Sequence, residues 1–160
     1  MGRWFYSKKD TADGHKSISV KKLKEWGYSA QGWRSGTFTW SRHGEQVGSM
    51  GVSVEIQGQI GAMRLTYTYD ETEQLNYEIK LVSTPCHYGG FRWWFICPLI
   101  HDGYPCQRRV GVLYLASKYA GCRICYDLTY QSCQDSHKFD ALARRIGSPS
   151  ETALKQALGW

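Results

Sequence analysis

The chain has 160 residues and a mass of 18.3 kDa, the size of one domain with at most a small appendage. Apolar residues make up 42% and charged residues 21%, which is the composition of a globular chain and not of a disordered one. No run of about 18 apolar residues occurs, and the first ten residues lack the apolar stretch of a signal peptide. We therefore expect a cytoplasmic protein without a membrane span.

The formal net charge of +6 leans toward the C-terminal part of the chain. Residues 86–160 carry nine Lys and Arg against five Asp and Glu, whereas residues 1–85 carry eleven against nine. A basic excess favours anionic partners such as nucleic acid or acidic protein surfaces. A solvated, mildly cationic surface fits the same numbers, because no run of five like charges occurs.

The first half of the chain predicts a short helix followed by an antiparallel meander. Ser19 is a suitable N-cap for a helix over residues 20–26 that ends at Gly27. The glycines within residues 32–36 predict a turn. Apolar and polar residues then alternate with period two, which predicts four strands joined by short turns over residues 37–42, 46–56, 62–69 and 75–82.

Beyond residue 85 the pattern changes to short apolar strands and then to helices. Residues 91–96 and 110–115 read as strands, the first preceded by a tight turn at Gly89 and Gly90. Helical spacing begins around residues 127–133. Two further helices are predicted over residues 139–146 and, from a capping box at residues 148–151, up to Leu158.

All six cysteines lie in one 48-residue window, and without a secretory signal such clustering favours a metal over disulfides. Cys122 and Cys125 have the spacing of a zinc knuckle, in which a tight turn brings two thiolates to one ion. Cys97 and Cys106, each next to an apolar strand, supply a second pair. Four thiolates predict a closed, structural Zn²⁺ site.

Other ligand sets stay open at this point. His101 lies between the first two cysteines and can replace either of them, and Cys86 or Cys133 can also take part. Otherwise we read Cys86 and Cys133 as buried thiols, and without a metal all six cysteines are core residues. A catalytic zinc keeps an open position and usually has His ligands. A redox Cys-x-x-Cys needs a βαβ context that the pattern lacks. We therefore expect no enzyme, no catalytic residues and no small-molecule substrate.

These patterns predict an α+β fold: an antiparallel β-meander followed by a zinc-ribbon-like module and C-terminal helices. Residues 1–85 form the mainly antiparallel β region with its short N-terminal helix. Residues 86–135 form the zinc-ribbon-like module, and residues 136–160 the C-terminal helices.

Five residues are candidates for partner binding. Arg108 and Arg109 follow the first cysteine pair and Arg123 lies inside the second, and guanidinium groups suit bidentate contacts with phosphate or carboxylate. The alternative for Arg108 and Arg109 is a charge pair at a strand edge. Tyr126 and Tyr130 are spaced i, i+4 on the predicted helix and can either stack on bases or pack beneath the ribbon.

Three stretches carry a resemblance to a known family: PCHYGGFRWWFICP at residues 85–98, CQRRVGVLYL at 106–115 and CRICYDLTYQS at 122–132. They resemble an uncharacterised family of small bacterial proteins, many of them carried on phage-like or integrating mobile elements. The resemblance implies a zinc-ribbon-like protein of unknown role. The first cysteine pair is usually close together in that family, whereas residues 98–105 separate it here, and the family's basic tail is reduced to residues 144–145.

Two functions follow as hypotheses. The first, which we favour, is a non-enzymatic zinc-ribbon module that contacts nucleic acid; it rests on the cysteine pairs, the basic second half and the arginines beside the pairs. The second is a protein-interaction module, such as an inhibitor, adaptor or small subunit acting on a host complex. It rests on the high aromatic content, seven Trp and eleven Tyr, in a chain whose net charge is modest. It also rests on the resemblance to mobile-element proteins.

Overall fold

A computed structural model describes residues 9–134, and over this range the chain is mostly antiparallel β-sheet. The described residues divide into two compact units, His15–Tyr126 on the one hand and residues 9–14 with 127–134 on the other. The helices predicted over residues 139–146 and up to Leu158 lie outside the described residues. Within the described range, no helix has both the length and the apolar character needed to cross a membrane.

The elements of the larger unit follow in chain order. They are β1 (Ser17–Ser19), α1 (Val20–Glu25), β2 (Gly32–Arg42), β3 (Glu45–Gln57), β4 (Ile60–Tyr69), β5 (Glu73–Pro85), β6 (Phe91–Ile96), β7 (Ile100–His101), β8 (Tyr104–Pro105), β9 (Arg109–Val110) and β10 (Val112–Tyr114). Six strands form one antiparallel sheet in the order β2-β3-β4-β5-β6-β9. The pairs β1-β10 and β7-β8 form two small sheets.

The predicted meander is confirmed as strands β2 to β5, and its alternation explains the core. Every second residue points to one face of a strand, so the apolar positions of the four strands meet on a single face of the sheet. The buried residues of this face are Phe38, Met50, Val52, Val54, Ile56, Met63, Leu65, Ile79 and Leu81. Phe95 of β6 joins them, so the apolar core continues past residue 85.

The predicted short helix is also confirmed. The Lys22 N–H donates to the Ser19 hydroxyl oxygen at 3.2 Å, which caps the first turn of α1. The helix ends at Glu25, and Gly27 has φ of +78°, the left-handed conformation typical of a helix end. Leu23 of α1 packs in the core together with Ile18 of β1 and Leu113 of β10.

The turn predicted at residues 32–36 is wrong, because β2 begins at Gly32 and pairs with β3 from its first residue. Glycines are poor strand formers and therefore resembled a turn. At Gly36 the absence of a side chain makes room for a neighbour: an added Cβ would lie 2.0 Å from the hydroxyl oxygen of Tyr28. A tertiary contact therefore explains the glycine.

The helix predicted over residues 127–133 is wrong for most of its length. In the smaller unit Thr129 forms a parallel bridge with Thr11, and its N–H donates to the Asp10 carbonyl at 2.9 Å. Of the predicted helix, only residues 131–133 are helical, in a stretch that runs to residue 134. Pairing with a distant segment therefore satisfies backbone groups that a helix would otherwise use. Tyr126 and Tyr130 consequently do not share a helix.

Candidate metal centre

The end of β6 and the start of β9 bring the first two cysteines together. Cys97 follows β6 directly, and its N–H donates to the Arg108 carbonyl at 3.0 Å. The Cys106 N–H donates to the Leu99 carbonyl at 2.8 Å. These two hydrogen bonds join the two ends of a loop. Cys97 lies at one end of the loop and Cys106 at the other, so the two cysteines are neighbours in space.

The residues between this pair form a hairpin, which explains the unusual spacing. Strands β7 and β8 pair with each other, and the turn between them consists of Asp102 and Gly103. Both turn residues have positive φ, +53° and +82°, as a two-residue type I′ turn requires. The eight-residue insertion therefore leaves the two cysteines adjacent. The Asp-Gly dipeptide is a strong hairpin signal that our sequence analysis missed.

The second pair is held by a turn that follows a short bridge. Gly121 and Tyr114 exchange two backbone hydrogen bonds, of 2.9 and 2.8 Å, immediately before Cys122. The Cys125 N–H then donates to the Cys122 sulfur at 3.4 Å. This N–H to sulfur bond fixes both sulfurs on the same side of the turn, as expected for a knuckle.

Gly121 lies where the two cysteine loops pack against each other, and there is little room for a side chain at this position. A Cβ at this position would lie 2.1 Å from Leu99 Cδ1 and 2.8 Å from Tyr126 Cε2. Leu99 belongs to the first cysteine loop, and Tyr126 follows the second. Any side chain at position 121 would therefore push the two cysteine pairs apart.

The four predicted cysteines converge on one point. The Sγ atoms of Cys97 and Cys125 are 4.0 Å apart, those of Cys106 and Cys122 are 3.8 Å apart, and all four sulfurs lie within 4.8 Å of one another. A disulfide would need about 2.05 Å between sulfurs. A tetrahedral site with metal–sulfur bonds of about 2.3 Å places its sulfurs about 3.8 Å apart. The four thiols can therefore hold one metal ion.

Burial differs among the four sulfurs. Cys97 and Cys122 are 2% and 1% exposed, whereas Cys106 and Cys125 are half-buried. Two buried thiols and two near the surface are typical of a closed site reached from one side.

Backbone N–H groups point at the sulfurs. Cys97 accepts hydrogen bonds from the backbones of Cys122, at 3.3 Å, and of Leu99. Burial raises the pKa of the Cys97 thiol to about 11 in spite of these bonds. At Cys106, burial is outweighed by hydrogen bonds from the Arg108 backbone and the neighbouring thiols, which lower the pKa to about 7. The lowered pKa favours the thiolate form of Cys106, which is the form of sulfur that binds a divalent cation.

A guanidinium group lies beside the cluster. Arg108 is exposed, and its Nη1 is 3.6 Å from the Cys106 sulfur. The charge of the Cys106 thiolate raises the pKa of Arg108. Four thiolates around one divalent cation leave a net charge of −2, so this arginine partly offsets the charge of a loaded site.

Tyrosine side chains tie the segment before Cys122 to the meander. The Ala120 N–H donates to the Tyr77 hydroxyl oxygen at 2.7 Å, and the hydroxyls of Tyr77 and Tyr67 are 3.0 Å apart. Tyr67 in turn donates to the Lys118 carbonyl. Burial raises the pKa of Tyr67 and of Tyr77, so both stay neutral. Some of the many tyrosines therefore have a structural role, because they form hydrogen bonds within the protein. The local sequence pattern gives no sign of this network, because two of its hydrogen bonds join residues more than 40 positions apart.

The alternative ligands are not in the cluster. The metal-ligand group found among the described residues consists of the four cysteines alone, and the His101 imidazole is paired with the Asp102 carboxylate at 2.8 Å instead. Cys86 and Cys133 are exposed, so our interpretation of them as buried thiols is wrong. Cys86 lies in the turn between β5 and β6, where the apolar neighbours in the sequence do not cover it.

The structure distributes the five partner-binding candidates over different environments. Arg108 and Arg109 are exposed, whereas Arg123 is half-buried. Tyr126 is half-buried and donates to the Tyr119 carbonyl, and burial raises its pKa to about 12. Tyr130 belongs to the smaller unit. Their partner contacts stay a prediction.

No protein-family model, curated protein or solved structure matches the chain. The resemblance to mobile-element proteins therefore stays a prediction, and the function must be argued from the site itself.

Proposed function

We propose that Cys97, Cys106, Cys122 and Cys125 bind one Zn²⁺ ion in a structural tetrathiolate site. The observation that carries the proposal is the mutual approach of the four sulfurs to within 4.8 Å, with two of the pairs at 3.8 and 4.0 Å. Thiolates are soft ligands that select Zn²⁺ or iron among the abundant divalent metals, and a site with four sulfurs leaves no open position for water. The ion would therefore hold structure and would not activate a substrate.

The site also supports the assignment of a zinc-ribbon-like module. One cysteine pair lies at the base of the β7-β8 hairpin and the other in a turn after residue 121, so two loops from separate strands would share one ion, as in a zinc ribbon. Hydrogen bonds from backbone N–H groups to sulfur occur on both loops. They reduce the cost of gathering negative charge at one point.

Elemental analysis of protein purified without added metal tests the site. We expect about one equivalent of zinc. Cys122→Ser should contain less than about half an equivalent, because three thiolates bind much more weakly than four. Cys86→Ser is the matched control, since Cys86 is exposed and lies outside the cluster. A full equivalent of iron, or unchanged zinc in Cys122→Ser, contradicts the assignment.

We propose further that this zinc-held domain is a non-enzymatic module that contacts nucleic acid. The support is the net charge of +6 together with Arg108 and Arg109, which are exposed beside the centre. Arginine presents donors in a fixed fork that suits phosphate. Binding should weaken steeply as salt rises, because released counterions drive it. Affinity that does not change between low and physiological salt contradicts this function.

One observation favours the alternative, a protein-interaction module. Two apolar side chains of the β7-β8 hairpin are largely exposed, Ile100 at 72% and Tyr104 at 78%. A cavity of about 430 Å³ beside them is lined by Tyr77, Leu99 and Tyr119, among others. Exposed apolar side chains next to a cavity are typical of protein contacts. Such binding would be almost insensitive to salt, so the same titration separates the two functions.

A further inference from the structure

The side of the six-stranded sheet that faces away from the core carries a basic and aromatic patch. Trp94 lies opposite Val82 in the pairing of β6 with β5, and Ile96 lies opposite Arg109 in the pairing of β6 with β9. Their strand neighbours Leu81 and Phe95 are buried in the core, so alternation places this set on the other face. We call it the outer patch: Lys80, Val82, Arg92, Trp94, Ile96 and Arg109.

The Arg92 guanidinium lies over an aromatic ring in this patch. Its guanidinium carbon lies 4.2 Å from the centre of the Trp94 ring, and the Trp94 indole N–H donates to the Thr84 hydroxyl oxygen at 2.9 Å. The tryptophan is half-buried and the arginine is exposed. The hydrogen bond orients the indole, and the cation–π contact holds the exposed guanidinium beside the indole.

Among residues 9–134, no acid neutralises the cations of the outer patch. Arg64 lies on the same side of the sheet but pairs with Glu78 at 3.6 Å. By contrast, across the described part of the chain no salt bridge involves Lys80, Arg92 or Arg109. These three charges are therefore available to an anionic partner.

We propose that the outer patch binds single-stranded nucleic acid, with a base stacked on the Arg92 guanidinium and phosphates contacting Lys80 and Arg109. Unpaired bases stack on guanidinium planes as well as on aromatic rings. The Trp94 ring fixes Arg92 in advance, so less side-chain freedom is lost on binding. This inference rests on the proposed nucleic-acid function and names its surface and the class of its ligand.

The geometry favours a single strand over a duplex. Side chains of the outer patch project from the face of a sheet, whereas a duplex groove is read by a helix or a two-stranded ribbon that enters it. Lys80 of β5 and Arg109 of β9 lie on either side of β6, so their strands are about 9.6 Å apart, a span that successive phosphates of a single strand can bridge. Val82 and Ile96 supply apolar surface between the cations for the edges of bases.

The experiment measures binding of the full-length, metal-loaded protein to labelled oligonucleotides of about 20 nucleotides. The probes are a DNA single strand, an RNA single strand and a DNA duplex, each titrated over a range of salt. The test variant replaces Lys80, Arg92 and Arg109 with alanine. The control replaces Lys21, Lys22 and Lys24 of α1 with alanine, which removes the same charge from an exposed helix.

We expect the test variant to bind single strands at least tenfold more weakly than the control variant. The slope of log affinity against log salt should become shallower by about 1.4, because the two phosphate contacts of Lys80 and Arg109 contribute about 0.7 each on a single strand. Arg92→Lys keeps the charge and loses the planar stack, so we expect about threefold weaker binding with an unchanged slope.

Each contrary outcome points to a different failure. If the native protein binds none of the probes in a salt-dependent way, both the proposed function and the outer patch are wrong. If it binds but the test and control variants have equal affinity, the function stands and the patch is wrong. A preference of tenfold or more for the duplex also overturns the patch, and so does native affinity in Arg92→Lys.

Discussion

The meander and the cysteine-bearing segment are stabilised in different ways. Strands β3 to β5 are 10 to 13 residues long and bury an unbroken set of apolar side chains. In residues 97–125, Leu113 of β10 and Ala120 join the core, but the two cysteine loops, residues 97–106 and 121–125, do not: strands β7 and β8 have two residues each and are exposed at every position. The first region is held by its own core. The second needs the metal centre and the tyrosine network, because two-residue strands bury too little to hold a fixed shape.

The largest expected effect is the loss of the metal in Cys122→Ser. A closed thiolate site contributes on the order of 10 kcal/mol, which is comparable with the whole stability of a domain. We expect the apparent midpoint of thermal unfolding to fall by more than 10 °C (~3 kcal/mol or more). Cys86→Ser should melt like the native protein. If the two variants melt together, the cysteine segment does not depend on the metal.

A change in the core of the meander should affect the protein differently. Leu65 is fully buried, and Leu65→Ala should lower the free energy of unfolding by about 2–5 kcal/mol. The cysteine site is unchanged in this variant, so the folded fraction should still bind one equivalent of metal. Urea unfolding and metal analysis of the same sample measure both. Loss of metal from folded Leu65→Ala would show that the two regions are not stabilised separately.

A smaller effect is expected at the contact between the two cysteine loops. Gly121→Ala places a Cβ 2.1 Å from Leu99 Cδ1, and such overpacking costs about 1–3 kcal/mol. We expect weaker metal binding in a competition with a chelator. Gly111→Ala is the matched control, since its Cβ would lie at an ordinary 3.8 Å from Val20. Equal metal affinity of the two variants would contradict the close approach at Gly121.

The smallest effect concerns the tyrosine network. Tyr77→Phe leaves the Ala120 N–H without its acceptor, which should cost about 1–2 kcal/mol. Tyr88→Phe serves as the control because Tyr88 is 98% exposed. Chemical denaturation compares the two variants. If Tyr77→Phe is as stable as Tyr88→Phe, the network does not support the cysteine segment.

The sequence was informative where local pattern decides structure. Alternation predicted the meander strands, Ser19 and Gly27 marked the ends of α1, and the spacing of cysteines predicted the group that converges. These features depend on neighbours within a few residues, or on the few ways in which thiolates can share an ion.

The failures occur where a distant contact overrides the local pattern. The glycines at the start of β2 resembled a turn, although Gly36 makes room for the Tyr28 hydroxyl. Residues around Thr129 had helical spacing but pair with Thr11, more than a hundred positions earlier. The exposure of Cys86 depends on its place in a turn, which apolar neighbours in the sequence obscure. Sequence patterns carry no information on such partners.

Hydrogen exchange of the metal-loaded and metal-stripped protein tests the central claim most directly. We predict that removing the metal abolishes the protection of amides in the two cysteine loops, residues 97–106 and 121–125, while amides of β3, β4 and β5 exchange as slowly as before. The Cys97 and Cys125 amides should respond first, because they flank the sulfur cluster. Equal protection of the two loops with and without metal would contradict the claim that the four cysteines form a structural metal centre.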